Sequence, residues 1–140
     1  MRVGNWEHFE HDADIGLRAT AGSREQVFEL MGEALTALVA EPSTVRAVDT
    51  INVSCSAPED ALLLVDWLNA LVYEMATRRM LFCHWHVELD GCTLRAQVQG
   101  EAIDRSRHQP VVEVKGATYT ALSFAEDSTG NWCAQCIVDV

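Results

Sequence analysis

The apolar pattern of residues 60–77 constrains the fold more than any other stretch of the chain. Its apolar side chains recur at helical spacing over a wide face, and they are Ala61, Leu62, Leu64, Val65, Trp67, Leu68, Leu71, Val72 and Met75. Pro58 comes just before this pattern, and proline suits the start of a helix because its missing N–H would have no partner there. A helix with so wide an apolar face has to be covered by other elements. We therefore predict a central helix over residues 60–77 that packs against a sheet.

A strand, a helix and a second strand are predicted ahead of this central helix. Residues 15–21 alternate apolar with polar or small side chains, which is typical of a half-buried strand. Ser23 and Gln26 form a capping-box pattern, and the apolar spacing that follows predicts a helix that ends near Ala40. Residues 45–56 include a second alternating segment, which predicts the second strand.

The remainder of the chain has strand patterns separated by turns. Asp90-Gly91 is typical of a two-residue hairpin turn, because glycine adopts a positive φ without strain. A polar loop over residues 104–110 and a turn over residues 126–130 separate the later strands. The strands predicted here are Met80–Leu89, Cys92–Gly100, Val111–Phe124 and Asn131–Val140. This order predicts one α+β domain over residues 1–140, a two-layer sandwich in which two helices cover one face of a mixed, mostly antiparallel sheet.

Composition limits the classes of function that the chain can perform. The formal net charge is −11, from 21 acids against 10 bases, and such a surface repels phosphate backbones. We therefore expect no direct, tight binding of nucleic acid. No apolar run approaches the roughly 20 residues that span a bilayer, and the first residues lack the apolar core of a signal peptide. These features predict a cytoplasmic protein with no membrane association.

The five cysteines favour reduced thiols, because an odd number without an export signal does not suit a disulfide framework. Cys133 and Cys136 have the CxxC spacing of zinc and redox sites. Residues three apart in a strand point to opposite faces, which favours structural thiols here. His84 and His86 share a strand face and could hold zinc together with Cys92, although exposed histidines are the commoner outcome.

The strongest candidate site combines residues near the start of the chain with the last two residues. Residues 11–14 (HDAD) lead into the strand predicted over residues 15–21, and Asp139 and Val140 end the last one. If these two strands lie side by side, Asp14, Asp139 and the terminal carboxylate of Val140 meet. Three carboxylates repel one another unless protons or a cation neutralise them, and hard cations such as Ca²⁺ and Mg²⁺ take oxygen ligands. The alternative is that Asp12 and Asp14 cap a loop and that Asp139 is solvated.

Covalent catalysis finds little support in the sequence. The chain contains no GxSxG nucleophile elbow and no glycine-rich phosphate loop. Lys115 is the only lysine, and a lone lysine can be a desolvated catalytic amine. We instead expect Lys115 to form an ion pair with Glu113 or with one of the N-terminal carboxylates.

Motifs spread over most of the chain resemble those of a known family. They are Trp6-Glu7-His8, His11-x-Ala13-Asp14-Ile15-Gly16, Leu63-Leu64-x-x-Trp67-Leu68-Asn69-x-Leu71-x-Tyr73, Gly100-Glu101, His108, Val114-Lys115, Ala117-Thr118-Tyr119, Trp132 and Val138-Asp139-Val140. In this order and spacing they resemble the archease family, small acidic proteins that assist the RtcB-type RNA ligase of tRNA splicing. The resemblance extends from Trp6 to Val140.

The resemblance implies an activator of the ligase and not an enzyme. Archeases promote the guanylation of a histidine of the ligase and its multiple turnover, and they bind a divalent cation, typically Ca²⁺. The implied ligands here are Asp14, Asp139 and the carboxylate of Val140, with Ca²⁺ favoured over Mg²⁺. We expect three further residues to support these ligands: His11, Asp12 and Lys115. The family also implies the α+β architecture predicted above.

The chain departs from the family pattern at a few positions. Asp12 stands where the family usually has Thr, which adds a carboxylate near the site and can alter the cation preference. Thr120 stands where the family usually has His, so any role of that histidine does not carry over to this chain. Gly116 likewise stands where the family regularly has Ala.

Two other classes of function remain open on the sequence. A stand-alone metal-dependent phosphohydrolase would use the same carboxylates, and turnover of nucleotides or RNA ends without a ligase would favour it. A metal-free interaction module would bind no cation at all. Metal analysis and a thermal shift with added Ca²⁺ or Mg²⁺ separate that module from the other two.

Overall fold

The computed structural model describes residues 4–140, which form two sheets and two long helices. The strands are β1 (Gly4–His11), β2 (Asp14–Ala21), β3 (Asp49–Ser56), β4 (Met80–Asp90), β5 (Thr93–Ala102), β6 (Gly116–Ala117), β7 (Ser123–Glu126) and β8 (Trp132–Asp139). The helices are α1 (Arg24–Val39), α2 (Asp60–Arg78) and the short α3 (Arg105–His108), with a 3₁₀ turn at Pro42–Thr44. The α+β class predicted from the sequence is confirmed.

The strands divide between two sheets, and every pairing between them is antiparallel. The larger sheet has the order β1-β2-β8-β6, with β7 beside β8, and the smaller sheet has the order β3-β5-β4. The sequence predicted a single mixed sheet instead. The two adjacent-strand hairpins, β1-β2 and β4-β5, turn within two residues, and so short a connection permits only antiparallel pairing.

The two long helices contact strands of both sheets, and not one face of a single sheet as predicted. α1 contacts β2 and β4, and α2 contacts β3 and β6. The wide apolar face of α2 accounts for this difference, because seven of its side chains are buried, among them Trp67. The indole N–H of Trp67 donates to the carbonyl of Phe28 in α1 at 2.9 Å and ties the helices together. Within the described residues, no helix combines the length and the apolar character needed to cross a bilayer.

Local signals placed most element boundaries correctly. The side chain of Ser23 accepts a hydrogen bond from the backbone N–H of Gln26, so α1 begins at the predicted cap. Gly91 has a φ of 59° in the β4-β5 turn, where Asp90 pairs with Thr93, so the turn lies one residue later than predicted.

The strand predicted over residues 111–124 is largely wrong. Only the two-residue β6 and the four-residue β7 form there. Among the described residues, no strand pairs with residues 111–114, and Ala121 has a φ of 51° in the turn that separates β6 from β7. The polar loop over residues 104–110 contains α3, which begins after Asp104 because that side chain accepts hydrogen bonds from the backbone of the first turn.

Candidate metal centre

Asp14 and Asp139 lie opposite each other at one end of the larger sheet. β2 begins at Asp14, β8 ends at Asp139, and Ile15 is paired with Val138. The ladder ends at this pair, and its register, continued by one residue, sets Asp14 across from Asp139. Directly opposed residues carry their side chains on the same face, with Cβ atoms about 4.5–5.5 Å apart. The backbone thus brings the two acids together, whereas their binding of a cation stays a prediction.

His11 and Gly116 extend this acid pair (Asp14 and Asp139) into a row across four strands. His11 of β1 is the partner of Asp14, and Gly116 of β6 is the partner of Asp139. The backbone N–H of Lys115 donates to the carbonyl of Asp139 at 2.8 Å, which fixes the end of β8 against the start of β6. His11 and Asp14 are half-buried, and Asp139 is exposed. The residues that the sequence assigned to the site therefore occupy one end of the sheet.

The ring of Phe9 occupies the next position along this face. Phe9 pairs with Gly16, and a Cβ atom added to Gly16 would lie only 2.1 Å from the ring. The guanidinium of Arg18 lies over the same ring, 4.3 Å from its centroid, and Ile137, the partner of Gly16 in β8, is 1 % exposed. Sequence reasoning missed Phe9. The available signal was a glycine inside a strand, which often marks a close approach.

The two carboxylates of the acid pair have no protein partner in the described part of the chain. Asp14 and Asp139 make no side-chain hydrogen bond or ion pair within residues 4–140. The cation on the same face of β2, Arg18, is already bound to Glu7 at 2.7 Å and to Gln135 at 3.0 Å. Like charges directly opposite each other destabilise a sheet. The pair therefore lacks a compensating positive charge among the described residues.

The donor set of this site suits a hard cation that keeps other oxygen ligands. Ca²⁺ takes 6–8 oxygen ligands, and the acid pair supplies carboxylate oxygens from two strands. Among residues 4–140, no three side chains of His, Cys, Asp or Glu converge into a ready set of metal ligands. The two aspartates alone therefore do not complete the oxygen shell that such a cation requires. The described residues therefore contain no preformed zinc site of three or four side chains.

Asp12 and Lys115, predicted to support the ligands, lie beside the row. Asp12 occupies the turn between β1 and β2 with a φ of 53°, a conformation that Asp tolerates better than most residues. This backbone requirement gives Asp12 a role that does not depend on a cation. The side chain of Lys115 is exposed and forms no ion pair within the described residues. The predicted ion pair with Glu113 or an N-terminal carboxylate is therefore wrong, because the Lys115 side chain extends into solvent.

Another acid of the sequence motifs, Glu101, is buried and fully paired. Both of its oxygens accept from the guanidinium of Arg107 at 2.7 Å, and one also accepts from the backbone N–H of Arg46 at 2.6 Å. The Nε2 atom of His108 lies 3.1 Å from the same carboxylate, and its Nδ1 accepts from the backbone N–H of Asp104. The hydrogen bonds from Arg107, followed by those from Arg46 and His108, hold the pKa of Glu101 well below its usual range. This cluster fixes the loop after β5 to the smaller sheet.

The remaining candidate ligands do not form a site. Cys136 is fully buried, and burial raises the pKa of its thiol to about 11. Cys133 points to the opposite face of β8, where the hydroxyl of Thr20 lies 3.5 Å from its sulfur. His84 and His86 are exposed on β4. These positions agree with structural thiols and exposed histidines.

The fold and the site together define the class: an α+β protein of two antiparallel sheets that carries one acid at the start of its second strand and another at the end of its last strand. The chain belongs to the archease family. The family model described as "Archease protein family (MTH1598/TM1083)" matches residues 6–140.

Relatives in archaea support this membership over nearly the whole length. The protein archease of Pyrococcus abyssi is 30 % identical over 139 residues, covering 96 % of this chain and 98 % of the relative. The protein archease of Methanosarcina mazei is 31 % identical over 140 residues, covering 96 % and 95 %.

Solved structures show the same fold. The solution structure of Methanobacterium thermoautotrophicum protein 1598 has a TM-score of 0.79 and 25 % identity, covering 97 % of this chain and 99 % of that one. The crystal structure of an archease from Thermotoga maritima, described as a possible chaperone, has a TM-score of 0.58 at 18 % identity and covers 96 % of both chains. The second likeness supports the fold alone.

Proposed function

We propose that the protein is a non-catalytic cofactor of an RtcB-type RNA ligase in tRNA splicing and RNA repair, acting in the cytoplasm. It promotes guanylation of the ligase and its multiple turnover through a divalent cation, Ca²⁺ in preference to Mg²⁺. The ligands are Asp14, Asp139 and the carboxylate of Val140. The observation that supports the proposal is that this family member carries two aspartates next to the last pair of the β2-β8 ladder, with no counter-charge among residues 4–140.

The residues of this chain hold and present the cation. Asp14 and Asp139 are fixed by the β2-β8 ladder, and the bond from Lys115 to the backbone of Asp139 keeps the end of β8 in place. When bound, the cation supplies positive charge that can stabilise phosphate oxygens during phosphoryl transfer. His11, the backbone partner of Asp14 in the β1-β2 ladder, would orient that carboxylate. The ligase itself supplies the reacting histidine.

The test separates activation from docking. Asp14→Asn and Asp139→Asn each remove one carboxylate charge and leave the amide in the same place. We expect both variants to bind the ligase in co-sedimentation but to lose guanylation, measured as transfer of labelled guanylate to the ligase. Glu10→Gln is the matched control, because Glu10 is an exposed acid one residue from His11 that points to the other face of β1.

Three results would contradict the proposal. Joint loss of binding and guanylation would make the acid pair a docking face for a basic surface of the ligase. Retained guanylation in both variants would remove the cation from the mechanism. Turnover of nucleotides or RNA ends by the purified protein alone would identify a phosphohydrolase.

A further inference from the structure

Residues 111–115, which we name the docking strip, have the pattern of a strand but form no strand in either described sheet. Their sequence, Val-Val-Glu-Val-Lys, is rich in β-branched side chains, which favour extended structure. The ladder to β8 nevertheless begins only at Gly116. Within the described part of the chain, the backbone N–H and C=O groups of Val112, Glu113 and Val114 make no hydrogen bond. Unpaired backbone groups beside the end of a strand are available for pairing with another chain.

A groove of about 840 Å³ runs beside the docking strip. Its opposite wall is the C-terminal half of α2, and its apolar lining includes Val72, Met75, Ala76, Ile103, Val112 and Val114. Val111 is 78 % exposed at the mouth of this groove, and Val112 is 37 % exposed. The volume is in the range of sites that bind ligands, about 300–1,000 Å³.

The groove is locally basic in a chain whose net charge is −11. Arg79 and Arg105 line it, both are exposed, and neither has an ion-pair partner among residues 4–140. Four other arginines are already paired with acids: Arg18, Arg24, Arg78 and Arg107. Glu113 is the one acid along the described lining. The free positive charge at the groove therefore favours a ligand that carries carboxylates.

We propose that the docking strip and groove bind an extended peptide segment of a partner protein, with apolar side chains at alternate positions and carboxylates between them. The peptide pairs through its backbone with Val112–Val114, which supplies the hydrogen bonds that these residues lack. Its apolar side chains enter the groove, and its carboxylates reach Arg79 and Arg105. A lipid would leave the strip's backbone unpaired, so the unpaired backbone favours a peptide. This inference goes beyond the activation of the ligase and does not depend on the acid pair.

The test is a titration of the isotope-labelled full chain with defined hexapeptides, followed by amide chemical shifts. The panel alternates Val, Leu or Phe with Asp, Lys or Ser. We expect the Asp peptides to shift the amides of Val112, Glu113 and Val114, with an affinity about ten-fold higher than that of the Lys peptides. N-methylation of alternate peptide bonds removes backbone donors without changing the side chains. We expect that change to abolish binding.

Variants of the protein locate the interaction. Arg79→Gln together with Arg105→Gln is expected to reduce the affinity for the Asp peptides about five-fold. Val111→Asp places a charge at the exposed mouth of the groove and is expected to reduce it as well. Arg95→Gln is the matched control, because Arg95 is an exposed arginine of the smaller sheet that does not line the groove. All variants are first checked for an unchanged amide spectrum away from the strip.

Four results would overturn the inference. No shift at Val112–Val114 with any peptide at about 1 mM would leave no measurable site. Equal binding of the N-methylated peptide would exclude backbone pairing. Binding of decanoate at the groove without peptide binding would identify an amphiphile as the occupant. Sedimentation of the wild-type chain as a dimer that Val111→Asp dissociates would identify a second copy.

Discussion

The acid pair and Glu101 all belong to the family motifs of the sequence, but they differ in whether the protein supplies a counter-charge. Glu101 is 8 % exposed and is bound by Arg107, the backbone of Arg46 and His108. Asp14 and Asp139 face each other at the end of a sheet, and neither has a counter-charge in the described part of the chain. The charge of Glu101 is neutralised by the fold itself. The charge of the acid pair is not, so it remains available to something that binds.

This difference predicts which acid stabilises the metal-free protein. Removal of one partner from a buried ion pair leaves the other charge uncompensated, which destabilises strongly. Removal of one of two opposed like charges relieves repulsion. We therefore expect Glu101 to contribute to folding stability and the acid pair to contribute to binding.

The largest effect is expected for Glu101→Gln. This change leaves Arg107 without its buried counter-charge, so we expect a loss of several degrees in Tm. Asp14→Asn with Asp139→Asn should leave the Tm of the metal-free protein unchanged or raise it. Thermal unfolding followed by circular dichroism in a chelator measures both, with Glu126→Gln, an exposed acid of β7, as the control. A larger decrease in Tm for the double Asp variant than for Glu101→Gln would show that the acid pair, and not Glu101, stabilises the metal-free protein.

The second prediction is the pH dependence that follows from the same cluster. The folded pKa of Glu101 is lowered from 4.5, so its contribution to stability is complete above that value and is lost as the pH falls towards the folded pKa. We expect the unfolding free energy of the wild type to fall more steeply below pH 4.5 than that of Glu101→Gln. Urea unfolding between about pH 3 and pH 7 measures the two slopes. Parallel slopes would mean that Glu101 does not titrate differently in the folded and unfolded states.

The third prediction concerns the cation. If the acid pair binds Ca²⁺, an excess of about 100 times the Kd stabilises the folded chain by about 2.7 kcal/mol. We expect this gain in the wild type and in Glu10→Gln, and we expect it to disappear in Asp14→Asn and Asp139→Asn. Thermal unfolding at increasing Ca²⁺, repeated with Mg²⁺, measures it. An equal gain in the Asp variants would place the cation elsewhere on this acidic surface.

The parts of the fold that depend on neighbouring residues could be predicted from the sequence. Ser23 and Gln26 marked the start of α1, and the apolar spacing of residues 60–77 marked α2 to within one residue. The approach of Asp14 to Asp139 was conditional on the pairing of their strands, and the structure shows that β2 and β8 are paired. Periodicity specifies which face of a strand is buried, but it does not specify the neighbouring strand.

The parts that depend on distant contacts could not be predicted. The Phe9 ring over Gly16 requires the β1-β2 register, and the cluster around Glu101 joins residues as far apart as Arg46 and Arg107. The alternating pattern of residues 111–115 predicted a strand, but within residues 4–140 the backbone of residues 112–114 pairs with no strand. The unpaired backbone of this segment is the basis of the peptide-binding site that we propose for the docking strip.

The smallest effect is expected at Val140, and it tests whether the acid pair acts alone. Conversion of the Val140 carboxylate to an amide removes one negative charge without changing the apolar core, to which the half-buried side chain of Val140 contributes at its edge. Because the number of charged ligands sets Ca²⁺ affinity, we expect the Kd to rise about ten-fold while the Tm in chelator stays the same. Calorimetric titration of the amidated and unmodified chains measures this change. The same modification in Asp139→Asn should add nothing, since that site has already lost its cation. An unchanged Kd would show that two carboxylates with backbone or water oxygens suffice, and the contrast with Glu101 would then rest on the acid pair alone.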